Sequence, residues 1–278
     1  MNNKAAVFYM LGASAVFSMM GILVKSLNGV IPTFEVLFIR CFIGSILIAS
    51  YLTKNKIRIR GSHLKELYLR SIVGFLAASC FFYSVSKMKM ADNSAIIRSS
   101  GLFVPFVAYF IAHEKFNKKD FLIALTGFLG VLFIIKPGTS VFNYSAIVAL
   151  TGAFFQSVAF CSVRDLSSKE HPLRIVFYFL TVSWILSGLL GGGEFVLPTS
   201  PQWYILLGIA ATGLIGQFLM TMAYGKASAG LITPVLYSEL LFSTLFAVII
   251  FSELPDFYST IGIVIVVIST LVISKRTT

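Results

Sequence analysis

The second half of the sequence repeats the first at a constant offset of 139 positions. Lys25-Ser26-Leu27 falls on Arg164-Asp165-Leu166, Gly74 on Gly213, and Lys87 on Lys226. Leu102-Phe103 falls on Leu241-Phe242, Glu114 on Glu253, and Lys136 on Lys275. No gap is needed across the five apolar stretches of either half. Five is odd, so if each stretch crosses a membrane, the second copy enters from the opposite side. Such inverted repeats are the ground plan of secondary transporters, which alternate between two mirror-related open states. Solute movement across a membrane is therefore the leading expectation.

The composition supports a lipid-embedded chain. Of 278 residues, 57% are hydrophobic and 12% charged, with 27 Phe, and mean hydropathy is +0.90. A water-exposed globule of that composition would be insoluble. About 20 helical residues cross a hydrocarbon core of ~30 Å. On that measure ten spans are expected: 5–24, 33–53, 67–86, 91–112, 121–135, 143–163, 172–191, 203–224, 230–251 and 257–274. The fifth is short, but Lys119 and Lys136 at its ends can snorkel. In lipid every backbone amide needs an internal partner, so runs of this length must be helices. The expected fold is an all-α polytopic membrane protein, its ten transmembrane helices forming two inverted five-helix repeats, 1–138 and 139–278.

A net charge of +11 could signal nucleic acid, but its placement argues otherwise. With the N-terminus inside, only Lys25, Lys87, Lys89 and Lys136 of the 22 Lys and Arg fall outside. Arg40 and Arg98 lie within spans, and the remaining sixteen are cytoplasmic. The densest cluster is Lys54, Lys56, Arg58, Arg60, Lys65 and Arg70. This is the positive-inside pattern, so both termini are expected in the cytoplasm of a bacterial inner membrane. The basic loops fit membrane lipids, through anionic headgroups, and no nucleic acid. Cys41, Cys80 and Cys161 are scattered through apolar spans, and His63, His113 and His171 are isolated. Neither a disulfide framework, a metal site nor a cofactor is indicated. Ala13-Ser14-Ala15 resembles a signal-cleavage site, but the register of the first span with the sixth argues that it is retained.

There is no soluble domain, since the longest hydrophilic connection is 54–66. Chemistry must sit between helices. Gly12-Ala13-Ser14 and Gly127-x-x-Gly130 mark close helix approaches. Pro105 and Pro234 each remove a helical hydrogen bond and are expected to bend the fourth and ninth spans beside an interior cavity.

Polar groups deep in a bilayer need a reason, because a charge at the midplane costs on the order of 3 kcal/mol. Glu239 lies ~13 Å into the ninth span. Arg98 lies in the fourth, and Arg40 in the second with Glu35 nearer its end. Arg98 suits an anchor for a carboxylate or phosphate, and Glu239 a partner for a cation or a proton. The alternative is that they pair with each other or with neighbours as structural ion pairs. By the repeat, Arg98 corresponds to Tyr237 and Ser100 to Glu239, which brings Tyr237 into the candidate binding set. Gln156, Gln217, Ser18, Ser157 and Thr221 are milder candidates, for which interhelical hydrogen bonding is the expected role. The substrate-binding candidates are thus Arg98, Tyr237, Glu239, Gln156 and Arg40. No span holds a nucleophile–base pair, which argues against an enzyme.

These residues carry a resemblance. The Glu after the fourth and ninth spans (Glu114, Glu253) is followed sixteen positions later by a small residue (Gly130, Ser269), and a basic residue closes each half (Lys136, Lys275). With Phe34-Glu35-Val36-x-x-x-Arg40, the set resembles the EamA branch of the drug/metabolite transporter superfamily over essentially the full chain. The stretches Gly127-Phe128-Leu129-Gly130 to Lys136-Pro137, Thr233-Pro234-x-x-Tyr237-x-Glu239-Leu240 and Glu253-Leu254-Pro255-Asp256 look similar to a narrower branch that includes rickettsial S-adenosylmethionine uptake carriers. The resemblance implies ten helices, with one to four and six to nine around a central cavity and five and ten peripheral. Arg98 departs from the general family pattern, as does Ser100 opposite Glu239. The implied function is alternating-access transport of a small-molecule substrate, which the resemblance does not fix; one fixed cation and one fixed anion beside a cavity suit zwitterionic or cationic amino-acid-like molecules, S-adenosylmethionine-like ones included, as the expected class. An exporter of amphipathic compounds, a channel and a non-transporting scaffold are the alternatives, and a homodimer is a candidate assembly.

Overall fold

The computed structural model describes residues 3–112, 118–135, 143–227, 235–236 and 238–277. Among these the regular structure is helical throughout. In chain order the helices are α1 (Asn3–Ser26), α2 (Thr33–Lys54), α3 (Leu64–Lys87), α4 (Met90–Arg98), α5 (Ser100–Ala112) and α6 (Lys118–Ile135). They continue as α7 (Tyr144–Leu166), α8 (Pro172–Gly191), a 3-10 turn (Gly192–Glu194), α9 (Ser200–Lys226), α10 (Ser238–Phe251) and α11 (Phe257–Thr277). Six of them, α1, α2, α3, α7, α8 and α9, are long and apolar enough to cross a membrane, and shorter apolar helices lie in α6, α10 and α11. The chain is an all-α polytopic membrane protein.

Local chemistry sets the helix ends. Gly29 adopts φ 75°, a left-handed value suited to glycine, in the turn between α1 and α2. Pro172 opens α8, where its missing N–H is no loss, and His171 Nδ1 accepts from Leu173 N. Asn143 caps α7 by accepting from Ser145 N at 2.9 Å. The expected fourth span is broken into α4 and α5 at Ser99, six residues before Pro105. Ser99 Oγ donates to Ile96 O at 2.6 Å, a side-chain competitor for the backbone ladder. Pro105 lies inside α5 without interrupting it, while Pro234, Glu114, Lys136 and His113 lie outside the described residues.

Packing pairs helices distant in sequence: α1 with α9, α3 with α7, α2 with α8, and α6 with α11. The last pair sits at the edge, and its backbones nearly touch. A Cβ on Gly130 would lie 2.8 Å from Gly262 O, and one on Gly262 would lie 2.5 Å from Gly130 O.

The two ends of the bundle are tied differently. At one, Lys25 Nζ donates to both carboxylate oxygens of Glu253 at 2.6 Å and to Met88 O at 2.9 Å. Met90 N donates to Glu253 Oε2 at 3.3 Å, and Lys89 Nζ to Leu254 O at 3.1 Å. At the other, the carboxylate of Glu170 accepts from Ser62 N at 2.6 Å, from His63 N at 2.8 Å and from the Arg174 guanidinium. Arg174 in turn donates to Arg58 O. Burial works against ionising Glu170, but the His63 amide, the Arg174 guanidinium and the Ser62 amide outweigh it and hold the carboxyl below its ordinary range. For His171, burial and the Arg174 charge both disfavour the protonated form and lower it below its ordinary range.

Candidate functional site

Midway along the bundle the helices line a partly open cavity of about 80 Å³ whose wall is drawn from both halves of the chain. Four charged side chains reach it: Arg40 from α2, Arg70 from α3, Arg98 from the end of α4 and Glu239 from α10. Gln156 of α7 and Gln217 of α9 add neutral polar groups, and Phe17, Phe81, Phe82, Phe160 and Phe179 supply much of the apolar wall.

Arg98 and Glu239 form an ion pair, with their side chains 5% and 1% exposed. The break at Ser99 explains the position of Arg98. It leaves the guanidinium on the last residue of α4, where the carbonyl end of a helix favours a cation. Ser18 Oγ, which donates to Ser14 O, also lies 3.2 Å from Glu239 O and ties α1 to α10.

Arg40 is 3% exposed and sits over the Phe82 ring at 5.4 Å, with Nη2 3.5 Å from Gly213 O. Arg70 is 2% exposed and sits over the Phe179 ring at 4.7 Å. Neither has a carboxylate partner among the described residues, and Arg40 Nε, Arg70 Nε and Arg70 Nη1 are buried without a hydrogen bond. Gln156 Oε1 and Gln217 Nε2 are buried and unbonded too. Such groups can hold a polar or anionic head group by charge-assisted hydrogen bonds, and at about 80 Å³ the space in this state is smaller than a pocket for a whole metabolite.

Of the five residues expected from sequence, the structure brings Arg98, Glu239, Gln156 and Arg40 to one cavity. Tyr237 lies outside the described residues. The alternative of structural ion pairs is met by the Arg98–Glu239 contact, while Arg40 has no carboxylate partner among the described residues. Glu35 is buried away from the cavity, where it accepts from Val196 N at 2.9 Å and ties α2 to the segment before α9. Ser157 and Thr221 were expected to bond between helices, and instead they donate to Phe154 O and Gln217 O on their own helices. Arg70 was not among the candidates: it falls at the cytoplasmic end of the third expected span, closes a run of basic residues and reads with them as facing the headgroups. The overlooked signal is spacing. Leu67, Arg70, Ser71 and Gly74 share one face of α3, and all four are buried.

A second crevice, about 440 Å³, lies at the Lys25 end between the α1–α2 turn, the end of α3 and the segment around Glu194. Phe82, 1% exposed, lines both spaces.

A polytopic helical bundle with charged residues around a mid-bundle cavity is the build of a membrane transport protein. The model of the EamA-like transporter family matches residues 4–136 and again 143–275. The chain belongs to that family, and so to the drug/metabolite transporters rather than to an enzyme class. It is 30% identical over 274 residues to the pseudopaline exporter CntI of Pseudomonas aeruginosa, covering 98% of this chain and 96% of that protein. It is 25% identical over 250 residues to an S-adenosylmethionine uptake transporter of Rickettsia prowazekii, covering 90% and 85%. A solved crystal structure matches with a TM-score of 0.68 at 18% identity, covering 99% of both chains, which shows the shared fold.

Proposed function

We propose that the protein is a secondary transporter that moves small polar organic metabolites across a bacterial inner membrane by alternating access. The observation that carries this reading is the convergence of Arg40, Arg70, Arg98 and Glu239 on one mid-bundle cavity walled by both halves. Intramembrane ionisable residues that face a shared cavity mark a solute path. Arg98, Arg40, Gln156 and Glu239 are the proposed binding residues, with Tyr237 a further candidate from the repeat. A fixed cation and a fixed anion suit the carboxylate and amine of an amino-acid-like head, S-adenosylmethionine included.

The helix pairings support two inverted five-helix repeats, 1–138 and 139–278. Moving each helix by 139 positions exchanges α1 with α7, α3 with α9, and α2 with α8. The α1–α9 contact thereby becomes the α7–α3 contact, and the α2–α8 and α6–α11 contacts return to themselves. The twofold match to the family model supports the same division. In this reading α4 and α5 make one span, ten helices cross, and both termini are cytoplasmic. The Lys25 end is then the outer one. The relatives are named for export and for uptake, so direction is not inherited from them.

The test is counterflow in proteoliposomes loaded with a metabolite library. Saturable uptake of a labelled amino-acid-like solute, accelerated by the same solute on the far side, is expected. Ohmic conductance in a planar bilayer, without counterflow, would make the protein a channel. Counterflow confined to amphipathic compounds would support the exporter alternative.

A further inference from the structure

We propose that the cavity selects a metabolite carrying at least two carboxylates, held by Arg40 and Arg70. This rests on the transporter reading and narrows its substrate class, from amino-acid-like solutes in general to those with a second carboxylate, which S-adenosylmethionine lacks. The cavity wall holds three guanidinium groups and one carboxylate. Arg98 and Glu239 pair with each other, which leaves two cations without an anion among the described residues.

Both leftover guanidiniums are built in rather than stray. Each lies over an aromatic ring, Phe82 or Phe179, which fixes its plane but satisfies none of its N–H groups. Each also occupies the space left by a glycine. A Cβ on Gly213 would lie 2.1 Å from Arg40 Nε, and a Cβ on Gly74 would lie 2.1 Å from Arg70 Nη1. Gly74 and Gly213 are the same position in the two halves of the sequence. The two repeats therefore keep one guanidinium berth each.

Snorkelling does not explain these cations, since both side chains are buried, at 3% and 2% exposure. An uncompensated buried charge destabilises the empty protein, and an anionic ligand group relieves that cost. A guanidinium with free N–H groups matches the planar carboxylate, which can accept two parallel bonds.

Placement sets the number of groups. Arg40 is the eighth residue of α2, which starts at the Lys25 end, and Arg70 is the seventh of α3, which starts at the opposite end. They approach the Arg98–Glu239 pair from opposite ends of the bundle. A zwitterion with one carboxylate would satisfy only one of them. A metabolite with carboxylates at two ends satisfies both, and Gln156 Oε1 and Gln217 Nε2 remain for its neutral polar groups.

The test uses the purified full-length protein in detergent, followed by thermal denaturation and titration calorimetry. The probes are tricarballylate, L-glutamate and L-aspartate against L-glutamine, L-lysine and inorganic phosphate. The carboxylate probes should raise Tm and bind at least tenfold more tightly than glutamine or lysine. Arg40→Gln and Arg70→Gln should each weaken tricarballylate tenfold or more, while the empty variants melt at or above the wild-type temperature. Arg70→Lys should recover part of the affinity. A residue kept for structure would instead lower Tm without selective loss of the probe. Failure of all three carboxylates to bind, or tighter binding of phosphate, glutamine or lysine, would overturn the proposal. Saturable glutamine or lysine counterflow in that case would leave the transporter reading standing.

Discussion

Arg98 and Glu239 test how far a buried charge pair can be separated. Both side chains are nearly inaccessible, so removing one leaves the other uncompensated. Breaking such a pair costs about 3–5 kcal/mol, whereas replacing both members is far milder. Glu239→Gln and Arg98→Ala are each expected to lower unfolding stability by about that amount, and the double substitution by less than either. A double-mutant cycle measured by denaturant unfolding in detergent checks this, and additive losses would contradict it. The presence of the charges was legible in the sequence, because a lone Arg or Glu within an apolar run stands out. Which partner each takes was not, since the sequence allows either a ligand or the other charge, and pairing 141 positions apart depends on how α4 and α10 meet. Arg70 was hidden for the opposite reason. It follows five other basic residues, and only its helical face separates it from them.

Between helices, the loops at the Glu170 end carry a pH dependence of known sign. The carboxyl of Glu170 titrates below its unfolded value because its ionised form accepts two amide N–H groups and the Arg174 guanidinium. A depressed carboxyl contributes stability above its unfolded pKa and loses it as pH falls through the folded one. His171, also depressed, acts in the same direction, since its neutral Nδ1 accepts from Leu173 N. Acidification from neutral pH through the carboxylate range should therefore loosen the 54–66 connection from the α7–α8 turn. The protection factors of the Ser62 and His63 amides should fall with that acidification in the wild type, and Glu170→Gln should lower them at neutral pH. Protection in the variant equal to wild type at neutral pH would contradict the clamp. Element positions were legible from apolar runs and turn residues, as for α2, α7, α8 and α9. The interruption at Ser99 was not, because Pro105 gave the stronger local signal and the serine acts through a hydrogen bond that spacing does not reveal.

Over the entire chain, the constant offset predicts two equivalent sets of helices, but it does not reveal that α1 packs on α9 and α3 on α7 while α2 and α8 pack on each other. That pairing gives the proposed cycle its two states. In the structure the Lys25 end is tied by Lys25 and Glu253. Their repeat equivalents are Arg164 and Glu114. Alternation requires the Lys25–Glu253 tie to open as the equivalent pair closes. Double electron–electron resonance reads this directly, with spin labels at Asn28 and Leu254 near one end and at the equivalent positions Ser167 and Lys115. Two distance populations are expected at each end, and a transported solute should shift them in opposite directions. A single distance at both ends, unmoved by any solute that the protein carries, would contradict alternating access.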